Sequence, residues 1–376
     1  MSMFIKEVTG KSDLKKFIGF YSLLYRHNKQ VAMPLHMDEL STLSQEKNPA
    51  HQFCQCKYWL AYRNKQIVGR IAAIINTKEQ EKEGKAIGRF GWFDFVNDPK
   101  ISKALLQTAA SWLKTNGVVK AQGPMGFTDM DRQGLLIEGH DEQGTMATLY
   151  NYPYYEAHFT ALKMEKAVDW IEFELNTGET GQKKLNLLAQ RVRQQNKLQS
   201  VNITSSRQLK KLAPAIFQLI NESYQDLYGY IPLTEEQIAY YTKNYLSFVN
   251  FKLISVVTDA AGQVVGAGIA MPSFTRALQK AKGKLFPLGA IQMYKALKKN
   301  DKLDLYLIAV DAKYQKKGAT AIIMSDIING AIEEGIHQAE TNIELEDNQH
   351  IQAMWRFFPH RQHKRRRCYV KTISND

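Results

Sequence analysis

The sequence predicts an α/β protein built as two tandem domains, and three observations carry the prediction. With 376 residues the chain is too long for one ordinary core and ample for two. Hydrophobic residues make up 44% of it and aromatic ones 11%, enough to bury a core in each half. The same order of elements also occurs twice, on either side of the polar, glycine-containing stretch 176–182, which lacks apolar periodicity and reads as a linker. The expected domains are residues 1–175 and 183–376.

In the first half, Leu14, Phe17, Ile18, Tyr21 and Leu24 recur at helical spacing across residues 11–25. Two strand-like runs, 57–62 and 66–75, are joined by the polar turn Arg63-Asn64-Lys65. A strand over 91–96 leads through Asn97-Asp98-Pro99 into a helix over 101–114. Pro99 suits a first helical turn, and Asn116-Gly117 suits an end. A strand over 118–122 stops at Gly123-Pro124, and an aromatic segment, 150–159, with a strand, 169–175, closes the half. The second half opens with a short strand, 201–204, and a helix over 209–224. Thr234 followed by Gln237 forms a capping box for a helix over 234–246. Strands 251–258 and 263–271 make a hairpin, and strand 303–310, helix 320–334 and strand 339–345 follow. The repeat fails at one place. From strand end to helix end the first half takes 21 positions, Val96 to Gly117, and the second takes 25, Val310 to Gly335. The extra four residues fall where the second half carries Gly318.

The formal net charge is +13, spread over short clusters at 183–184, 191–197, 280–284, 295–302 and 364–367. Such clusters are either solvated faces or an electropositive field around a polyanionic ligand. No apolar run approaches the roughly 18 residues that span a bilayer, so no membrane partner is expected. Cys54, Cys56 and Cys368 give an odd count without metal-ligand spacing, which fits a reducing, cytoplasmic location. The start of the chain lacks the apolar stretch of a signal peptide. His350, His360 and His363 sit among Arg and Lys, whose charge opposes a cation, so no metal is expected. Asp129, Asp131, Arg132 and Glu138 form a charged surface loop or line a polar pocket.

One stretch carries specific chemistry. Val310 to Thr320 reads V-D-A-K-Y-Q-K-K-G-A-T and opens a helix. A helix start leaves N–H groups without intrahelical partners and adds partial positive charge. Gly318, followed by the small Ala319 and Thr320, clears the side chain that would block a phosphate, and Gln315, Lys316 and Lys317 add donors and charge. The alternative is an ordinary strand-to-helix loop. The pattern Gln315-x-x-Gly318-x-Thr320 resembles the acyl-CoA signature of the GCN5-related N-acetyltransferase superfamily, with Thr in place of the final Gly or Ala. About thirty residues on, Glu344 to Phe358, with Asn348, Ala353 and Trp355, resembles that superfamily's next strand-and-helix motif, and residues 366–371 its closing strand. The resemblance covers residues 201–371; the first half matches in element order. Gly123-Pro124 and Tyr150-Asn151-Tyr152-Pro153-Tyr154-Tyr155 are similar to segments of bacterial two-domain acyltransferase-like proteins.

The resemblance implies two tandem acyl-CoA N-acyltransferase-like domains, each a twisted, mostly antiparallel sheet flanked by helices. It implies acetyl-CoA or another acyl-CoA as donor, bound at Val310, Gln315 to Thr320 and Asn348, and direct attack by an amine of a small molecule or peptide. Asp304, Glu344 and Glu346, on or beside the cleft strands, are the general-base candidates, and each also reads as an edge or surface charge. The superfamily's thiolate-protonating tyrosine is replaced by Trp355, which donates only an N–H; Tyr306 or Tyr369 are possible substitutes. Two other readings stand beside this one. A tandem-domain aminoacyl-tRNA transferase suits the charge, and a non-catalytic, nucleic-acid-associated binding protein suits Trp355.

Overall fold

The computed structural model describes residues 3–245 and 249–373. In chain order the first elements are β1 (Met3–Glu7), α1 (Gly10–Leu24), α2 (His36–Leu43), β2 (Cys54–Arg63), β3 (Gln66–Asn76), α3 (Thr77–Glu83), β4 (Ile87–Phe95), α4 (Pro99–Thr115), β5 (Lys120–Gly123), β6 (Leu135–Glu138), α5 (Tyr154–Ala161) and β7 (Glu165–Asn176). Then come α6 (Glu179–Asn196), β8 (Gln199–Ser200), α7 (Ser206–Tyr224), α8 (Glu235–Tyr245), β9 (Ile254–Thr258), β10 (Val264–Pro272), α9 (Thr275–Ala281) and α10 (Leu288–Lys298). The last are β11 (Lys302–Val310), α11 (Ala312–Gln315), α12 (Ala319–Glu333), β12 (Gln338–Thr341), β13 (Glu344–Leu345), α13 (Gln349–Gln352) and β14 (His360–Thr372). Among the described residues no helix is long and apolar enough to cross a membrane.

Two compact units divide the chain, one of Met1–Trp170, Thr275–Gln292 and Lys364–Asp376, the other of Ile171–Phe274 and Met293–His363. In the first unit the strand order is β1-β2-β3-β4-β5-β14, and in the second β7-β12-β11-β10-β9-β8. Each has one parallel pair, β4 with β5 and β11 with β12, and its remaining registered pairs are antiparallel. The fold is therefore the mixed, mostly antiparallel α/β architecture expected, occurring twice.

Several local readings change for physical reasons. The polar stretch 176–182 is the end of β7 and the first turn of α6, not a free linker. Its Gly181 is a packing glycine, since a Cβ there would stand 2.3 Å from Phe357 O. Residues 201–204 are not a strand; the strand there is the two-residue β8. The run 339–345 is two strands, β12 ending at Thr341 and β13 beginning at Glu344, and the Asn342 N–H makes the last ladder bond, to Leu305 O at 2.9 Å. The capping box at α8 is reciprocal: Gln237 N–H donates to Thr234 Oγ1 at 3.3 Å, and Thr234 N–H to Gln237 Oε1 at 2.9 Å. The expected last residue of that helix, Leu246, lies outside the described residues.

The core of the second unit lies between its sheet and helices α6 and α12. On three adjacent strands the odd-numbered residues Ile171, Phe173, Leu175, Leu303, Leu305 and Ala339 enter this core. The even-numbered neighbours Glu172, Glu174, Lys302, Asp304 and Glu340 therefore stand on the opposite face.

Candidate active site in the second unit

β11 and β12 pair in parallel over Lys302–Leu305 and Gln338–Thr341, and there the pairing stops. β11 runs on to Val310 with one edge open, and its residues 305–308 are partly exposed. Asn342 lies at the fork, its side-chain amide donating to Tyr306 O at 3.3 Å. Further along, the end of α7 meets the open edge. The Tyr224 hydroxyl donates to Ile308 O at 2.9 Å and accepts from Ile308 N–H at 3.3 Å, and Ser223 Oγ donates to Val310 O at 3.1 Å. Among the described residues no strand pairs this edge; its outward backbone groups are held by side chains, and an extended ligand on it would take the places of the Tyr224 and Ser223 hydroxyls.

The strand then feeds the turn. The Asp311 carboxylate caps the one-turn helix α11 by accepting from Lys313 N–H at 2.8 Å, so it serves α11 rather than α12. The Gln315 side-chain amide donates to Val310 O at 3.0 Å and closes the turn. Gly318 has φ +80°, the left-handed region that favours glycine, and Val192 Cγ2 of α6 would meet a Cβ there at 3.0 Å. No side chain caps α12 at Gly318. Ala319 is buried while Lys316 and Lys317 are exposed, with the Lys317 ammonium 5.0 Å from the Tyr314 ring centre. The first amides of a 15-residue helix, two lysines beside them and no capping carboxylate make a cradle for an anion.

The three candidate carboxylates have different settings. Glu344, on β13, is partly buried, and its Oε2 accepts from Trp355 Nε1–H at 3.2 Å. Desolvation pushes its carboxyl up to about 8, against the hydrogen bonds from Trp355 and Thr341. Asp304 is buried and stands in register beside Glu340. Glu346 is exposed. Asn348 begins α13, but its side chain makes no capping bond. Trp355 is buried and holds Glu344 in place. Tyr369 packs against Phe159 in the other unit, their ring centres 4.8 Å apart and planes tilted by 53°, and Tyr306 lies on β11.

The charged face of the sheet escaped the sequence reading. Glu172, Glu340 and His363 bring ligand atoms within 4.8 Å of one another, all buried, and His363 Nε2 is 3.3 Å from Glu340 Oε1. These are metal-ligating residue types, but the Lys302 ammonium pairs with Glu340 and supplies positive charge there. The signal was present in the strict alternation of Ile171, Phe173 and Leu175 with Glu172 and Glu174.

The remaining constellations close on themselves. Asp131 accepts from the amides of Phe127 at 2.7 Å and Thr128 at 3.2 Å, and Asp129 from Gln133 at 2.9 Å, so both fix their own loop. Burial pushes the Cys56 thiol up to about 11, which keeps it protonated although His51 lies 3.7 Å away.

No family model matches the chain. Over 296 residues it is 31% identical to Protein YghO of Escherichia coli (strain K12), covering 78% of this chain and 74% of that protein. The chain belongs to the YghO family. A bacterial ceramide synthase of Caulobacter vibrioides is 25% identical over 291 residues, 76% of this YghO-family chain and 74% of the relative. Among solved structures, the tandem GNAT protein from the clavulanic acid biosynthesis pathway superposes with a TM-score of 0.58 at 11% identity, covering all of both chains. A GCN5-related N-acetyltransferase from Anabaena variabilis gives 0.53 at 10% identity, over 99% of this chain and 73% of that one. The YghO-family chain thus has the tandem GCN5-related N-acetyltransferase fold.

Proposed function

We propose that the protein is a cytoplasmic acyl-CoA-dependent N-acyltransferase whose second unit holds the donor and whose acceptor is a long-chain amine. The observation that carries this reading is the continuity of the β11 edge, which no strand among the described residues pairs beyond Leu305, with the uncapped start of α12. An extended thioester arm on the first would deliver its diphosphate to the second. The acceptor class rests on the relative named a ceramide synthase, because a ceramide is the N-acyl amide of a long-chain amino alcohol.

In this reading the Ile308 N–H exchanges its bond to the Tyr224 hydroxyl for one to the thioester carbonyl, which it polarises. The amine nitrogen bonds to the carbonyl carbon, the carbon–sulfur bond breaks, and the nitrogen's proton passes to the Glu344 carboxylate. The Tyr224 hydroxyl, already at Ile308, returns a proton to the leaving thiolate, which the Trp355 indole cannot do.

The test is to incubate the full chain with acetyl-CoA or a long-chain acyl-CoA and a sphingoid amine. Free thiol and N-acyl product, followed by mass spectrometry, should appear in equal amounts. CoA binding without thiol release would favour the non-catalytic reading. Indifference to every acyl-CoA, with RNA binding that falls steeply with salt, would favour the aminoacyl-tRNA reading.

A further inference from the structure

Between Asp259 and Asp301 the chain has no acidic residue, yet it carries Arg276, Lys280, Lys282, Lys284, Lys295, Lys298 and Lys299. The centre of this run also exposes four large apolar side chains. Phe286 is 68% exposed, Leu288 71%, Ile291 49% and Tyr294 62%. They account for four of the ten exposed large apolar side chains among the described residues, all within nine positions. Scattered single exposures need no account, but a contiguous patch does.

The local structure explains why these groups face outward. The segment before α10 is tied down, Thr275 Oγ1 at the start of α9 donating to Gly144 O at 2.7 Å and His36 N–H donating to Gly283 O of the following loop at 2.9 Å. Helix α10 sits on that loop through Gly289, where a Cβ would stand 2.2 Å from Lys284 O. Gly289 is the one buried residue of the helix. Leu288, Ile291 and Tyr294 recur three positions apart, so they form a stripe along the free side. Exposed Lys280, Lys282 and Lys284 precede the stripe, and Lys295, Lys298 and Lys299 follow it.

From this geometry we infer that residues 280–299 form a docking surface for an anionic membrane, with the apolar stripe entering the headgroup region and the lysines contacting acidic lipids. An apolar run too short to span a bilayer is long enough to rest on one. The charge selects the occupant. A second copy of the chain would bring the same uninterrupted positive run to the interface, whereas an acidic lipid surface complements every lysine. The surface suits an enzyme with a lipid acceptor, but it stands without that reading, since vesicle binding is measured without turnover.

The experiment is co-sedimentation of the full chain with vesicles of phosphatidylcholine alone or with one-third phosphatidylglycerol. The protein should sediment with the anionic vesicles, and binding should weaken as salt rises. Lys282→Glu/Lys284→Glu should lower the partition coefficient by about tenfold or more. Leu288→Ser/Ile291→Ser should lower it comparably. Both variants alter exposed side chains and should keep the parent's thermal transition and its turnover of a water-soluble amine. Equal binding to neutral and anionic vesicles, or binding to neither, would overturn the inference. So would light scattering that shows a dimer in the parent and a monomer in the stripe variant.

Discussion

Each unit leaves its central strand through a turn into a helix, and the two turns are built in opposite ways. After β4, the Asp98 carboxylate accepts from Lys100 N–H at 2.9 Å and is held by Arg63 at 2.7 Å, while Pro99 removes an N–H altogether. The start of α4 is satisfied by its own chain. After β11, the corresponding carboxylate, Asp311, is spent on α11, and α12 begins afresh at Gly318 with no cap. The open strand edges differ in the same sense. Phe95 donates its N–H to the Tyr155 hydroxyl and accepts from Tyr154, and the space is packed with Phe90, Phe93, Tyr155 and Phe159. The matching edge of β11 remains partly exposed. One repeat covers its strand edge with aromatic core, and the other meets its own with the Tyr224 and Ser223 hydroxyls and leaves residues 305–308 partly exposed. The extra four residues make the difference by moving a carboxylate one turn away from the helix start.

The largest expected effect tests whether the β11 edge catalyses. Glu344→Gln should lower kcat by roughly 10²- to 10⁴-fold while leaving CoA affinity within about twofold. In the parent, kcat/KM should rise with pH to a plateau with a midpoint near 8, because the carboxylate acts only when ionised. The same group should register in stability with the opposite slope. Its folded pKa is raised from 4.5, so its stabilising contribution is complete below about pH 4.5 and is lost as pH climbs through 8. Thermal melts of parent and variant should therefore diverge over that window. A flat pH–rate profile would assign the base elsewhere.

Next in size is the turn itself. Gly318→Val forces a branched residue to φ +80° and into contact with Val192, which should cost about 1–3 kcal/mol in stability. It should also abolish CoA binding. Lys316→Ala/Lys317→Ala, which alters only exposed side chains, separates the two effects: calorimetry should show CoA affinity falling about three- to tenfold with the melting temperature unchanged. Unchanged affinity in the double variant would make the turn a structural loop like its counterpart after β4.

Much of this contrast was legible in the residues. The shortfall of four positions, Gly318 and the pairing of Asp98 with Pro99 are local signals, and strand-to-helix turns are governed by local chemistry. The α8 capping box and the Arg63-Asn64-Lys65 turn between β2 and β3 were legible for the same reason. What escaped depends on contacts distant in sequence. Gly181 looked like linker because nothing nearby reveals Phe357 above it. Tyr224 reaches Ile308 across 84 positions. The carboxylate ladder needs three strands in register, and Trp355 read as a missing catalytic group because its bond to Glu344 is tertiary. Lysine clusters showed charge without showing the apolar stripe between them, since exposure is not written in composition.

The smallest effect tests the closed side of the comparison. Asp98→Ala removes the cap of α4 and should cost about 1 kcal/mol at neutral pH. The amide of Lys100 and the Arg63 guanidinium hold the Asp98 carboxyl below its ordinary 3.8. Its stabilisation is therefore present above that value and lost as pH falls through the depressed folded pKa, so parent and variant should melt together in strong acid. The variant also exposes the start of α4, yet CoA stoichiometry should stay at one per chain. An uncapped helix start is only half of the site, and the edge of β4 would still be blocked by Tyr154 and Tyr155. A second CoA bound by Asp98→Ala would mean that the carboxylate alone closed the first unit, and that its aromatic filling yields to a ligand.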